Sequence, residues 1–236
     1  MQYKTKRKPG LALALLLMLG LVLVLSGMRR HSDTDGLPEA LRELYDRNPE
    51  AREFVLDYEK YKDADPVIDL SGEIETGQAP LLLQWDLRWG YRSYNGSFLA
   101  CTGCGPTVLS MAVIGLTGDL SCDPWRVAQY AEEGGYNVPG SGTSWRFIPE
   151  GAVHYGLSAQ ELPLDESCVT EALDSGELVV IVVGPGDFTT TGHYLLLTGV
   201  EDGGFRLNDP NSPKNSKTVW SWARLSPQIQ NLWALG

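Results

Sequence analysis

The chain has 236 residues, of which 43% are hydrophobic and 21% are charged, with 26 glycines and 14 prolines. This length suits one main domain with short additions, and this composition excludes a disordered or fibrous protein. The formal net charge is −11. A chain this acidic repels nucleic acid, so we expect no nucleic-acid partner.

The first 30 residues are predicted to lie apart from the globular domain. Basic residues at positions 4, 6, 7 and 8 precede an uncharged, leucine-rich stretch over 9–28, and about 20 apolar residues span a bilayer as a helix. We therefore predict a cytoplasmic basic head and a transmembrane signal-anchor over 1–30. This makes the protein a single-pass membrane protein whose remainder is extracytoplasmic. A cleaved signal peptide, which would make it secreted, is the alternative.

Residues 31–75 are predicted to form a helical collar and a linker. Apolar residues recur at helical spacing around Pro38, at Leu37, Leu41, Leu44 and Tyr45. A second short helix is predicted over 49–58. The stretch 63–80 is rich in acids and turn formers, which predicts an extended connector.

The compact domain is predicted to span residues 76–236. Its first half is predicted to hold a short strand over 81–85 and then helices over 105–116, 124–133, 144–155 and 165–174. Its second half carries β-rich runs over 178–183, 194–200 and 205–208, the last two joined by the hairpin signal Glu201-Asp202-Gly203-Gly204. Helices followed by strands argue for an α+β fold with an antiparallel sheet.

The strongest chemical signal is a cysteine between two glycines, in Cys101-Thr102-Gly103-Cys104-Gly105-Pro106-Thr107. A thiolate is stabilised at a helix N-terminus by free backbone N–H groups and the helix dipole. Gly103 and Gly105 allow close approach of a substrate, and Pro106 suits a helix start. We predict Cys104 as a nucleophile.

The spacing of Cys101 and Cys104 also fits a zinc site or a redox dithiol. A structural zinc site uses four ligands, and no second paired spacing is present, so we expect no metal. Disulfides that involve Cys101, Cys122 or Cys168 suit an extracytoplasmic domain, and the sequence leaves their pairing open. A bridged Cys104 would exclude thiol catalysis.

A thiol nucleophile requires a base, and His193 is the best placed of the three histidines because it opens the apolar run 194–197. Asn208 and Asp209 are both candidates to orient its ring. A regular register that pairs Val200 with Phe205 puts Asn208 on the matching face. Asp209 therefore requires a bulge or a bend at Pro210, and the residues alone leave the choice open.

The remaining candidate residues surround this centre. Gln84 carries an amide that can donate to an oxyanion, and Trp85 follows it. The glycine-rich stretches 138–144 and 184–192 are predicted to flank a cleft. We expect the substrate-binding residues to be Trp85, Gly103, Trp145 and Gly192, with core filling as the alternative use of a tryptophan.

Four motifs, in chain order, resemble those of the bacteriocin-processing cysteine peptidases, the thirty-ninth family of cysteine peptidases, and especially its stand-alone "like" branch. They are Gln84-Trp85-Asp86, Gly103-Cys104-Gly105-Pro106-Thr107, Gly192-His193-Tyr194 and Asn208-Asp209-Pro210. The resemblance implies a papain-like fold whose N-terminal helical half, with the nucleophile helix, packs on an antiparallel sheet. It also implies Cys104 as nucleophile, His193 as base and acid, Asp209 as the orienting carboxylate and Gln84 as oxyanion donor.

The predicted function is therefore that of an extracytoplasmic cysteine peptidase acting on a peptide or protein, without a cofactor. One alternative is a non-catalytic peptide-binding module of the same fold. Another is an envelope thiol redox protein that uses Cys101 and Cys104.

Overall fold

A computed structural model of the chain describes residues 34–72, 74–75, 77–140 and 142–236. The predicted transmembrane segment over 1–30 lies outside the described residues. Within the part that is described, none of the helices combines the length and the hydrophobicity that crossing a bilayer requires.

Along the described residues, helices and two-residue strands precede the longer strands of the main sheet. The α-helices α1 to α10 are Glu39–Arg47, Arg52–Leu56, Tyr58–Tyr61, Leu99–Thr102, Cys104–Thr117, Pro124–Glu133, Phe147–His154, Glu166–Asp174, Pro213–Ser216 and Trp222–Leu225. The strands β1 to β9 are Ser93–Tyr94, Ser97–Phe98, Asn137–Val138, Gly142–Thr143, Ala159–Glu161, Leu178–Val183, His193–Glu201, Gly204–Asn208 and Ile229–Leu235. Turns of 3₁₀-helix cover Pro49–Ala51 and Ser226–Gln228.

The main sheet is antiparallel and has the strand order β5-β9-β6-β7-β8. All six residues of the central strand β6 are buried, because both faces of the sheet are covered. Its uninterrupted run of apolar residues, LVVIVV, reflects this double burial.

Two hydrophobic clusters lie on opposite faces of the sheet. Helix α5 packs on one face, against alternate residues of β6 and β7 such as Val180 and Leu196. Helix α8 packs on the other face, against the intervening residues such as Ile181 and Leu195. The predicted α+β fold class, with the helix that Cys104 begins packed on an antiparallel sheet, is thereby confirmed.

The predicted collar forms a third hydrophobic cluster. Helices α1 and α2 bury Leu41, Leu44, Tyr45, Phe54 and Val55 against Ala100 in α4, the short helix that precedes Cys104. The single helix predicted over 49–58 is divided in the structure, since Asn48 caps a 3₁₀ turn and α2 ends at Leu56.

The strand predicted over 81–85 is wrong. Residues 81–83 have no regular secondary structure and 84–85 form a turn. The Leu82 N–H donates to Met111 Sδ at 3.2 Å and the Gln84 N–H donates to Pro210 O at 2.8 Å, so neither pairs with a strand. The predicted hairpin is confirmed. Asp202 and Gly203 form its turn with φ values of 50° and 74°, the left-handed region that two-residue hairpin loops require.

Candidate active site

Cys104 is the first residue of α5, a helix that is buried for most of its length. The glycines on either side of it are fixed by packing. A side chain at Gly103 would come within 2.5 Å of Leu99 O, and one at Gly105 within 2.9 Å of Thr143 Cβ. The backbone around the thiol can therefore adopt this packing only with glycine at both positions.

The thiol of Cys104 and the imidazole of His193 interact, and each shifts the pKa of the other. Burial opposes ionisation of the thiol, but the hydrogen bond and charge of His193 outweigh it, with further help from the backbone N–H groups of Tyr194 and Gly105. Together they lower the pKa of Cys104 below its ordinary value of 9.0. The site thus favours a thiolate, the form in which a cysteine is a nucleophile.

His193 is buried at the start of β7, and its Nε2 donates to Asp209 Oδ1 at 2.8 Å. Because Nε2 is occupied in this way, Nδ1 is the ring atom left for Cys104. Burial alone would lower the pKa of His193, but the adjacent charge of Asp209 and the hydrogen bonds to Asp209 and Cys104 raise it above 6.5. The imidazolium form is therefore favoured beside the thiolate.

A bulge in β7 brings Asp209 to the face that carries His193. Val200 pairs with Phe205 and Gly199 with Arg206, but Leu197 pairs with Leu207, so that Thr198 is an extra residue. Beyond the bulge, Leu196 faces Asn208. Continuing this register places Asp209 opposite Leu195, which has the same alternation as His193.

Asn208 and Asp209, the two candidates to orient the imidazole, point in different directions. Asn208 points the other way and donates from Nδ2 to the carbonyl oxygens of Ala79 and Pro80, at 3.2 and 2.9 Å. It anchors the connector, whereas Asp209 contacts the imidazole.

The carboxylate of Asp209 is almost completely buried, with 1% of its surface exposed, and is held by two asparagines that the sequence analysis missed. The Asn211 N–H donates to Oδ1 at 2.8 Å, and Asn215 Nδ2 donates to Oδ2 at 2.7 Å. The available signal was Ser212-Pro213, a helix start that turns Asn215 back toward Asp209.

Gln84 lies between the two halves of the site. It is buried, and its Nε2 donates to Ala100 O at 2.7 Å, while its backbone N–H donates to Pro210 O. Its side-chain oxygen is buried without a hydrogen-bond partner among the described residues. Nε2 retains a second hydrogen, so the side chain can still donate to a substrate oxygen.

The predicted substrate-binding residues have different surroundings. Gly103 and Gly192 directly precede Cys104 and His193 in the chain. Trp85 is half-buried, and its Nε1 donates to Asn211 O at 3.2 Å, so it packs on the turn that holds Asp209. Trp145 is 44% exposed and follows the glycine-rich stretch 138–144.

Side-chain contacts fix the position of both glycine-rich stretches. Thr143 at the end of the first contacts Gly105, and its Oγ1 and carbonyl oxygen are hydrogen-bonded to the hydroxyls of Tyr94 and Tyr194, at 2.7 and 2.9 Å. In the second, the Asp187 carboxylate accepts from Arg224 Nε and Nη2 at 2.9 and 2.7 Å.

The four cysteines are free thiols, and the two of the CxxC spacing differ chemically. Cys101 donates to Ala40 O at 3.5 Å, inside the collar interface, and burial raises its pKa to about 11. The pKa of Cys104 is shifted in the opposite direction. Among the described residues no group of His, Cys, Asp and Glu could hold a metal ion.

Residues 77–233 match the family model described as the Peptidase_C39 like family. The chain belongs to this family. The resemblance predicted from the four motifs is thereby confirmed, and membership of the family supports cysteine-peptidase-like chemistry for this site.

Two solved structures are similar to the chain at low identity. One is the peptidase domain of Streptococcus ComA, described as a bi-functional ABC transporter involved in a quorum sensing pathway. It is 20% identical over 57% of this chain and 91% of that one, with a TM-score of 0.45. The other is a C39-like peptidase from Bacillus anthracis, 14% identical over 68% of this chain and 95% of that one, with a TM-score of 0.42. Among curated proteins, no sequence gives a significant match.

Proposed function

We propose that the chain is a cysteine peptidase that hydrolyses peptide bonds through Cys104, His193 and Asp209, with Gln84 as an oxyanion donor. One observation carries the proposal: a buried imidazole, hydrogen-bonded to a buried carboxylate, acts on a thiol at a helix N-terminus and lowers its pKa. The family supplies the reaction class.

The proposed reaction begins from a thiolate beside an imidazolium. Cys104 Sγ attacks the scissile carbonyl carbon, and the electron pair of the C=O bond moves to the oxygen, where Gln84 Nε2 and the Cys104 N–H donate to it. His193 then gives its proton to the leaving amine as the C–N bond breaks, which leaves an acyl-thioester. A water molecule that loses its proton to His193 attacks the thioester and releases the acid and the thiolate.

We also propose an extracytoplasmic location with attachment to the membrane through residues 1–30. Support comes from the sequence, since a basic head followed by 20 uncharged residues is typical of a signal-anchor. The substrate class proposed is a peptide or protein segment in extended conformation, which suits a site between two glycine-rich stretches.

Labelling of the full chain by a peptide-based electrophile, with mass mapping of the modified residue, tests the proposal. We expect one label at neutral pH, on Cys104, which disappears in Cys104→Ala and is strongly slowed in His193→Ala. Cys101→Ala is the matched control and should label normally.

Other outcomes would identify other functions. A folded wild type that does not label would indicate a binding module that has lost catalysis. A Cys101→Ser variant that loses function as fully as Cys104→Ser would indicate a redox dithiol.

A further inference from the structure

The collar contacts the site although it lies outside the residues that match the family model. That match begins at residue 77, whereas α1 ends at Arg47 and the 3₁₀ turn that follows covers Pro49–Ala51. Two side chains from this junction, Asn48 and Glu50, reach the turn that follows Asp209. These contacts join residues more than 160 positions apart in the chain.

Asn48 is a buried polar residue at the end of α1, and both polar atoms of its side chain are hydrogen-bonded. Its Nδ2 donates to Asn211 O at 2.8 Å and to Asn211 Oδ1 at 2.9 Å, and its Oδ1 accepts from the Glu50 N–H at 3.0 Å. A buried side chain this fully paired fixes the position of its partners, because displacement would leave polar groups unpaired.

Glu50 holds the next residues of the same turn with both carboxylate oxygens. Oε1 accepts from the Lys214 N–H at 3.0 Å, and Oε2 accepts from the Ser212 hydroxyl. The Ser212 hydroxyl oxygen in turn accepts from the Asn215 N–H at 3.1 Å, which caps α9. Glu50 therefore fixes the start of the helix that carries Asn215.

Asn211 and Asn215 are the two residues whose N–H groups hold the oxygens of Asp209. The contacts thus form a continuous path from the collar, through the turn over 211–215, to the carboxylate that holds His193. The collar also touches the other half of the site, because Arg47 Nη2 donates to Cys101 O at 3.3 Å and Ala100 is buried in the collar cluster.

We propose that Asn48 and Glu50 are positioning residues: by fixing the turn over 211–215 they hold Asp209 against His193, and the collar is a working part of the catalytic centre. This inference rests on the proposed function. It assigns a role to residues that touch neither the thiol nor the imidazole.

The test measures the rate of Cys104 alkylation by iodoacetamide against pH in the full chain, read by mass mapping. Alkylation reports the thiolate directly and requires no peptide substrate. The variants are Asn48→Ala, Glu50→Ala and Glu50→Gln. The control is Glu53→Gln, which removes an exposed charge from α2 of the same collar.

We expect Glu50→Ala and Asn48→Ala to slow alkylation at neutral pH by about tenfold and to move its inflection to higher pH, because a displaced carboxylate stabilises the imidazolium less. Glu50→Gln should show a smaller effect, since its side chain keeps one of the two acceptor oxygens. Glu53→Gln should match the wild type. Ser212→Ala, which removes the same contact from the other side, should reproduce the shift if Glu50→Ala fails to fold.

The outcomes separate this inference from the proposed function. A wild-type inflection below 9 that stays unchanged in folded Asn48, Glu50 and Ser212 variants would overturn the positioning role and leave the peptidase proposal standing. A wild type without a lowered inflection would overturn both. A shift in Glu50→Ala that remains equally large when Asn215 is already alanine would also count against the path, because residues on one path are not additive.

Discussion

His193 Nε2 lies 2.8 Å from Asp209 Oδ1, and the two residues share a face of the sheet because Thr198 is inserted into β7. Without the inserted residue, the alternation of side chains would put Asp209 on the opposite face. The orientation of the imidazole therefore depends on a feature of the backbone five residues away.

Removing the Asp209 carboxylate should slow the labelling of Cys104 more than replacing the carboxylate with an amide. We expect Asp209→Ala to slow labelling of Cys104 by a peptide electrophile by about 10² to 10⁴-fold. Asp209→Asn should lose less, because its oxygen can still accept from Nε2 and Asn215 can turn its amide to accept from the new NH₂. Asn208→Ala is the control and should label at the wild-type rate. Equal losses in Asp209→Ala and Asn208→Ala would contradict the assigned orientation.

The pH dependence of alkylation should distinguish the two cysteines of the CxxC spacing. A lowered pKa means that Cys104 remains a thiolate below pH 9.0, so its alkylation should persist to lower pH than that of an ordinary cysteine and fall only as the pH drops through the lowered value. Cys101 should react only toward its raised pKa of about 11. Rates read by mass mapping from about pH 5 to about pH 11 would measure both.

The same measurement on His193→Ala isolates the contribution of the imidazole. Burial raises the pKa of Cys104 and the hydrogen bond and charge of His193 lower it. Without His193, the inflection for Cys104 should therefore move to higher pH, while that of Cys101 stays in place. An inflection for Cys104 that does not move would show that the helix N-terminus alone stabilises the thiolate.

Gln84 should matter for reactions that form an oxyanion and not for those that do not. Hydrolysis of a peptide ester passes through a tetrahedral oxyanion, and loss of one donor costs about 10² to 10³-fold in kcat. Iodoacetamide is attacked at a saturated carbon. We therefore expect Gln84→Ala to reduce kcat for the ester and to leave the alkylation rate near that of the wild type. Gln78→Ala, at an exposed position, should alter neither rate.

The pair formed by Asp187 and Arg224 should control the mobility of the stretch that leads into His193. Arg224→Lys loses the two-point contact with the carboxylate. We expect faster hydrogen exchange of backbone amides over 184–192 with a change of less than about 1 kcal/mol in the free energy of unfolding, since the Arg224 side chain is largely exposed. Arg206→Lys, at the exposed pair with Glu201, is the control. Unchanged exchange in both variants would mean that the stretch is held by other contacts.

The elements predicted best from the sequence are those formed by an uninterrupted run of apolar residues. The apolar run of β6 and the helix begun by Cys104 have the predicted positions to within one residue, because burial on all sides demands apolar residues throughout. The run over 81–85 is also mostly apolar but forms no strand. An apolar run indicates burial, but it does not indicate whether a neighbouring strand is available for pairing.

The choice between Asn208 and Asp209 could not be made from the residues alone, since nothing in the composition of β7 marks Thr198 as an inserted residue. The roles of Asn211 and Asn215 were equally hidden. They depend on how the turn over 211–215 folds back, and on contacts with Asn48 and Glu50 from the far end of the chain. Such contacts are set by tertiary packing and leave no periodic signal.

The collar cluster has a practical consequence for work with this protein. A recombinant fragment begun at residue 77, where the family match starts, would keep the residues of all four motifs. It would also uncover the apolar surface that α1 and α2 shield, formed by Trp85, Tyr91, Phe98 and Ala100. Exposed aromatic surface of this kind promotes aggregation. The smallest stable fragment should therefore start before Glu39, so the boundaries of the family match do not mark where this protein can be truncated.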